Sequence, residues 1–315
     1  MPRCVSRHAL SIMTLAVGVF SFAREASAHH EALFGPQSSL AVESSGFVSV
    51  QAHTRAYGVR GTQTQETTFI LSGGIAPIAD VPWAITLVQP FTYQTTRVPT
   101  PSGSTGPFTA CDGCFRRENN LVATSYRFDF TGLQRAFGKD GNFTLLSFAL
   151  EPPTGNKDYA TFHGPFNFIG AAMSGLEWRS WSAVFLGYYR ANSPDGTSSK
   201  KGDNFLLGLG AAYTPIDTHD AMLSFQLGVG EEVHFRDVAL GTTVDSSGGA
   251  ELLVSPTVVV SPLAALRIFA LVSLPVVQSY RDDAQRDRWR AGLGAIWSFE
   301  RHDHGTALPP AAASR

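Results

Sequence analysis

Residues 287–300, DRWRAGLGAIWSFE, read with a period of two. Trp289, Ala291, Leu293, Ala295, Trp297 and Phe299 fall on one face. Arg288, Arg290, Gly292, Gly294, Ser298 and Glu300 fall on the other, where Ile296 is the one apolar residue. Side chains alternate across a strand, so the stretch is a strand with an apolar face and a polar, glycine-rich face. Trp289 and Trp297 stand near the two ends of the apolar face, roughly 20 Å apart along a membrane normal once the strand tilts. Two aromatic girdles around an apolar band would place them there. The stretch reads as the last strand of a transmembrane β-barrel.

Working outward, similar runs recur and are closed by turn residues. They cover 47–58, 67–78, 83–97, 121–130, 143–150, 165–178, 182–191, 204–214, 222–235, 251–260 and 266–280. In 47–58, Val48, Val50 and Ala52 alternate with Ser49, Gln51, His53 and Arg55. In 222–235, Leu223, Phe225, Leu227 and Val229 alternate with Ser224, Gln226, Gly228 and Gly230. The count is about 12, an even number, as bacterial single-chain barrels require. Odd-numbered connections are long or polar and even-numbered ones short, as in an up-and-down barrel with external loops and periplasmic turns. Pro90, Pro256 and Pro275 lie inside these runs and imply bulges or strand ends. The fold expected is all-β, one antiparallel transmembrane barrel.

The chain start fits this location. Arg3 and Arg7, the apolar run 9–22 and Ala26-Ser27-Ala28 have the form of a secretory signal, expected over 1–28. A polar lead over 29–45, periplasmic or entering the lumen, precedes a barrel expected over 46–300, with a periplasmic tail over 301–315. Of 24 Lys+Arg, Arg3, Arg7 and Arg24 lie in the signal, and of 26 Asp+Glu only Glu25 does. The remaining 21 basic and 25 acidic residues leave a net charge near −4, which argues against nucleic acid as a partner. No remaining apolar run approaches the ~18 residues of a membrane helix.

Several stretches resemble a known family, the outer-membrane barrels grouped as transporters of the MetA pathway of phenol degradation. They are ENNLVATSYRFDF (118–130), LLSFALEPPTGN (145–156), LVQPFTYQTTR (87–97), LVSLPVVQSYR (271–281) and the closing GLGAIWSF. The resemblance implies a channel in the cell outer membrane passing small solutes, among them aromatic or hydrophobic compounds. It carries no catalytic residues.

The polar faces assemble an inward set of His53, Arg55, Arg127, Asp129, Glu151, Glu177, Arg179, Gln226, Glu232, Arg288 and Arg290. Arg55, Arg127, Asp129, Glu177, Arg179, Gln226 and Arg290 are the candidates for contact with a solute. The plainer reading is that these charges pair with one another and hydrate the interior, as the fold alone requires. His29 and His30, beside the amine that signal cleavage would expose, have the donor chemistry for Cu or Zn. They support an alternative reading, a periplasmic copper-type accessory of an efflux system built on a barrel; otherwise no cofactor is expected. Cys111 and Cys114 read as a local disulfide in an external loop, with free or metal-bound thiols as the alternative. No nucleophile–base constellation, G-x-S-x-G or phosphate loop occurs, so the chain is not expected to be an enzyme. The expected partners are outer-membrane lipid, a small-molecule solute and the barrel assembly machinery.

Overall fold

The computed structural model describes residues 46–58, 63–78, 81–97, 113–129, 142–155, 166–194, 198–218, 221–281 and 286–299; among them there is no helix. The strands are β1 (Gly46–Tyr57), β2 (Gln63–Ile75), β3 (Trp83–Arg97), β4 (Cys114–Arg117), β5 (Leu121–Asp129), β6 (Asn142–Glu151), β7 (Asn167–Trp178) and β8 (Trp181–Asn192). They continue with β9 (Asn204–Asp217), β10 (Met222–His234), β11 (Val238–Ala239), β12 (Thr242–Thr243), β13 (Gly249–Leu263), β14 (Leu266–Tyr280) and β15 (Asp287–Phe299). Twelve of them form one antiparallel wall in sequence order. β15 returns to β1, with Phe299 opposite Gly46, and closes the ring. Closure leaves no strand edge, which is what allows a sheet to cross a bilayer with its backbone groups paired.

The remaining three strands are short. β11 and β12 form a small hairpin in the connection between β10 and β13. β4, inside a stretch expected to be loop, pairs with the outer end of β3, and β5 pairs with its inner end. Between them Glu118, Asn119 and Asn120 break the ladder opposite Pro90, whose carbonyl accepts the Glu118 N–H at 3.1 Å. Pro90 has no N–H to give, so it sits where the partner strand is interrupted. Pro275 lies at a register shift, where Pro275 opposes Leu253 and Val277 opposes Leu252. β2 begins and ends a few residues earlier than the expected 67–78, because Thr64 and Glu66 already alternate with Gln65 and Thr67.

The wall is apolar outside and polar inside. Val48, Val50, Phe185, Leu209, Leu227, Leu293 and Trp297 are exposed on the outer face. Ser49, Gln51, His53, Thr68, Ser125, Ser147 and Ser273 are buried on the inner one. Hydroxyls there pair across neighbouring strands: Ser49 with Ser72 at 2.6 Å, Ser125 with Ser147 at 2.7 Å and Ser255 with Ser273 at 2.7 Å. The short turns, including the two-residue turn between Trp178 and Trp181, lie at the end where β1 starts and β15 stops. In outer-membrane barrels that end is periplasmic. Trp83, Tyr126, Trp178, Trp181, Tyr213 and Trp297 ring it. Trp181 and Tyr213 touch with ring centroids 4.9 Å apart, and the Trp83 indole N–H donates to Thr124 Oγ1 at 2.6 Å. Such amphipathic rings suit a bilayer interface, apolar on one side and wet on the other.

Candidate functional site: the barrel lumen

The inner wall is lined differently at two levels. In the periplasmic half, Phe47, Ala84, Leu145, Met173, Val259, Phe269 and Ile296 form one buried apolar cluster. They come from β1, β3, β6, β7, β13, β14 and β15, so the cluster draws on the whole circumference. Ile296, the apolar exception on the polar face of β15, belongs to it and is fully buried. The glycines beside Ile296 make room. A Cβ on Gly294 would stand 2.5 Å from Phe269 Cε1 and 2.8 Å from Gln51 Cγ, and one on Gly292 would stand 2.7 Å from His53 Nδ1. Only a residue without a side chain lets those neighbours lie across β15. A second apolar group, Ile70, Val88, Leu121, Ala123, Ala149, Ile169 and Tyr188, lines the wall from β2 to β8.

Toward the extracellular end the wall carries ion pairs on both arcs. The Arg290 guanidinium reaches three carboxylates. Nε donates to Asp287 at 2.6 Å, Nη1 to Glu232 at 2.6 Å and Nη2 to Glu251. Glu232 also lies 3.3 Å from His234 Nε2. Arg55 pairs with Glu66 at 3.4 Å and lies over the Tyr57 ring at 4.7 Å. Arg190 pairs with Glu151 at 2.7 Å. His53 Nε2 meets Gln51 Oε1 at 3.0 Å. Buried charges are tolerable only when paired in this way.

The sequence-derived candidates separate accordingly. Arg55 and Arg290 face the lumen and anchor its ion pairs. Gln226 is half-buried on the inner face of β10, between Ala212 and Thr257. Arg127 is half-buried on the inner face near the periplasmic end of β5, and its N–H donates to Pro82. Arg179 is a correction. It lies in the turn after β7 with a φ of 54°, exposed and 5.4 Å from the Trp178 ring, and not on the lumen wall. A two-residue hairpin turn that follows the strand twist needs a positive φ at its first position, and Arg179 supplies it. Arg288 is a second correction, because a register shift at Ala56/Tyr57 turns it outward and Asp287 inward. The side chains of Asp129, Glu177 and Cys114 lie outside the described residues, as do Cys111, His29 and His30. Among the described residues no cluster of three or more His, Cys, Asp or Glu is placed to hold a metal.

Glu66, Arg190, Glu251, Asp287 and Tyr280 were missed as lumen residues. Arg190 and Tyr280 were inside expected strands, and simple alternation could have found Arg190. Asp287 could not be found that way, because the bulge reverses its face.

A closed, even-stranded antiparallel barrel with an apolar exterior, an aromatic girdle and a polar interior is an outer-membrane β-barrel. Solved structures agree on the fold. The chain is similar to the COG4313 outer membrane channel from Pseudomonas putida F1, with a TM-score of 0.59 and 14% identity, covering 81% of this chain and 94% of that one. It is more distantly similar to the KdgM porin, with a TM-score of 0.41 and 10% identity over 81% of this chain and 99% of that one. The NanC porin gives 0.43 and 9% identity over 81% and 100%. No family profile and no curated protein matches the chain.

Proposed function

We propose that the protein is a passive channel for small solutes, selective for compounds with an apolar body and a polar or charged tip. The observation that carries this reading is the division of the inner wall. Ile70, Val88, Leu121, Ala149 and Ile169 form one apolar strip of the wall, and the arc around Arg290, Glu232 and Glu251 carries the polar groups. A lumen built only to pass ions or sugars has no need of the first. Binding sites for small organic molecules combine a mostly apolar lining with a few placed polar groups. The apolar strip also supports aromatic or hydrophobic solutes, while the MetA-type grouping rests on the sequence motifs alone. No observation favours the metal-accessory alternative, which rests on His29 and His30, or a catalytic role.

Proteoliposomes loaded with phenyltrimethylammonium, an aromatic ion that lipid excludes, test the proposal. Release should exceed that of a trapped neutral trisaccharide by an order of magnitude or more. Equal release would leave a general pore, and release of neither would remove the channel reading.

A further inference from the structure

We infer that Arg290 is the residue that closes the lumen at its extracellular level and sets the charge selectivity of the path, an inference that rests on the channel reading above. The ladder itself shows why the side chain must lie across the lumen. Arg290 stands directly opposite Arg55 on β1, and Glu232 stands directly opposite Glu251 on β10 and β13. Like charges facing each other across a ladder repel. Arg55 finds its counter-charge directly opposite on β2, in Glu66, whereas Glu232 and Glu251 take theirs from Arg290.

Arg290 keeps Asp287 on its own strand and resolves the glutamate conflict by reaching beyond it. From β15 its guanidinium passes β14 and meets Glu251 on β13 and Glu232 on β10. Three strand intervals are about 14 Å of wall, so the contact follows a chord and not the wall surface. The two glutamates are fully buried under it, and the arginine is 12% exposed. Arg55 turns the other way, to Glu66 on β2. One guanidinium therefore ties three strands across the interior.

The charge balance gives the second half of the inference. Within the lumen, Arg55, Arg190 and Arg290 pair with Glu66, Glu151, Glu232, Glu251 and Asp287. Three of those five carboxylates share Arg290. Removing its guanidinium both opens the chord and uncovers three carboxylates, so the path should become wider and cation-selective together. A residue that only held the wall would not link the two changes.

The test is single-channel recording of the full mature chain in planar bilayers, comparing wild type, Arg290→Ala, Arg290→Lys and the triple variant Arg290→Ala/Glu232→Gln/Glu251→Gln. Arg290→Ala should raise unit conductance at least twofold and raise the K+/Cl− permeability ratio at least threefold. Lysine should restore a low conductance in part. The triple variant carries no uncovered glutamates and folds without an unpaired buried charge from that pair. It should keep the high conductance and lose most of the cation selectivity. Wild-type-like conductance in both alanine-containing variants, with heat-modifiable folded barrels, would overturn the inference and leave the channel reading standing. Absence of conductance in all four folded proteins would remove both.

Discussion

Asp287 and Arg290 are three residues apart on one strand, and their side chains nevertheless meet inside the barrel, Nε to Oδ2 at 2.6 Å. Strict alternation would put them on opposite faces. The register shift opposite Ala56 and Tyr57 brings Asp287 inward and leaves Arg288 outside. Asp287→Ala removes the carboxylate from this contact and leaves the bulge in place. The loss of one charge-assisted hydrogen bond predicts about 1.5–3 kcal/mol of destabilisation. Arg288→Ala, which keeps the bulge, should stay within about 0.5 kcal/mol of wild type. Urea midpoints of the folded barrel in detergent distinguish the two.

The glycines of β15 make a second prediction. Gly294→Ala places a methyl against Phe269 and Gln51 and should cost roughly 1–3 kcal/mol, the range for overpacking. Gly210→Ala on β9, where the nearest atom is the Leu227 carbonyl oxygen at 3.7 Å, should be near neutral. Equal effects at the two positions would contradict the packing described for the lumen.

The outer face predicts a dependence on depth. Leu209, 64% exposed near the middle of β9, faces lipid. Leu209→Arg should cost about 2–4 kcal/mol, as cations do at the bilayer midplane. The same change at Leu240, in the turn between β11 and β12, should cost little, because that turn stands outside the wall. Folding into liposomes measures both.

Two motifs that are far apart in sequence are docked together. Asn119 Oδ1 accepts the Gly155 N–H at 2.8 Å, and Thr154 Oγ1 accepts the Asn120 N–H at 2.7 Å. A Cβ on Gly155 would lie 2.9 Å from the Arg117 carbonyl oxygen. Asn119→Ala and Gly155→Ala should both loosen the segment after β6, with a cost on the order of 1–3 kcal/mol for the unpaired group. Protease added to intact cells should then cut near 152–155 several times faster than in wild type.

These relationships mark where the sequence was legible. Alternation in β15 and β1, with Trp297 and Val48 outward and Gln51 and Arg55 inward, is a local property, so strand number, closure and lumen faces could be read directly. Pro90 announced an irregularity, although not that Glu118–Asn120 would form its other side. Arg179 reads as lumenal when the parity of β7 is extended one residue past Trp178, into the turn. The Arg290 constellation was out of reach for a different reason. It depends on a chord between strands separated in sequence by 58 residues, and on a bulge that no alternation pattern contains.

The proposed channel is a solute path held narrow from within the barrel. Single-channel conductance of the purified wild-type protein in a planar bilayer addresses it most directly. Small, discrete ion steps are expected, interrupted by phenyltrimethylammonium at millimolar concentration because the ion occupies the same lumen. Large steps indifferent to that ion would rule out a narrow solute path, and so would a folded, inserted barrel that never conducts.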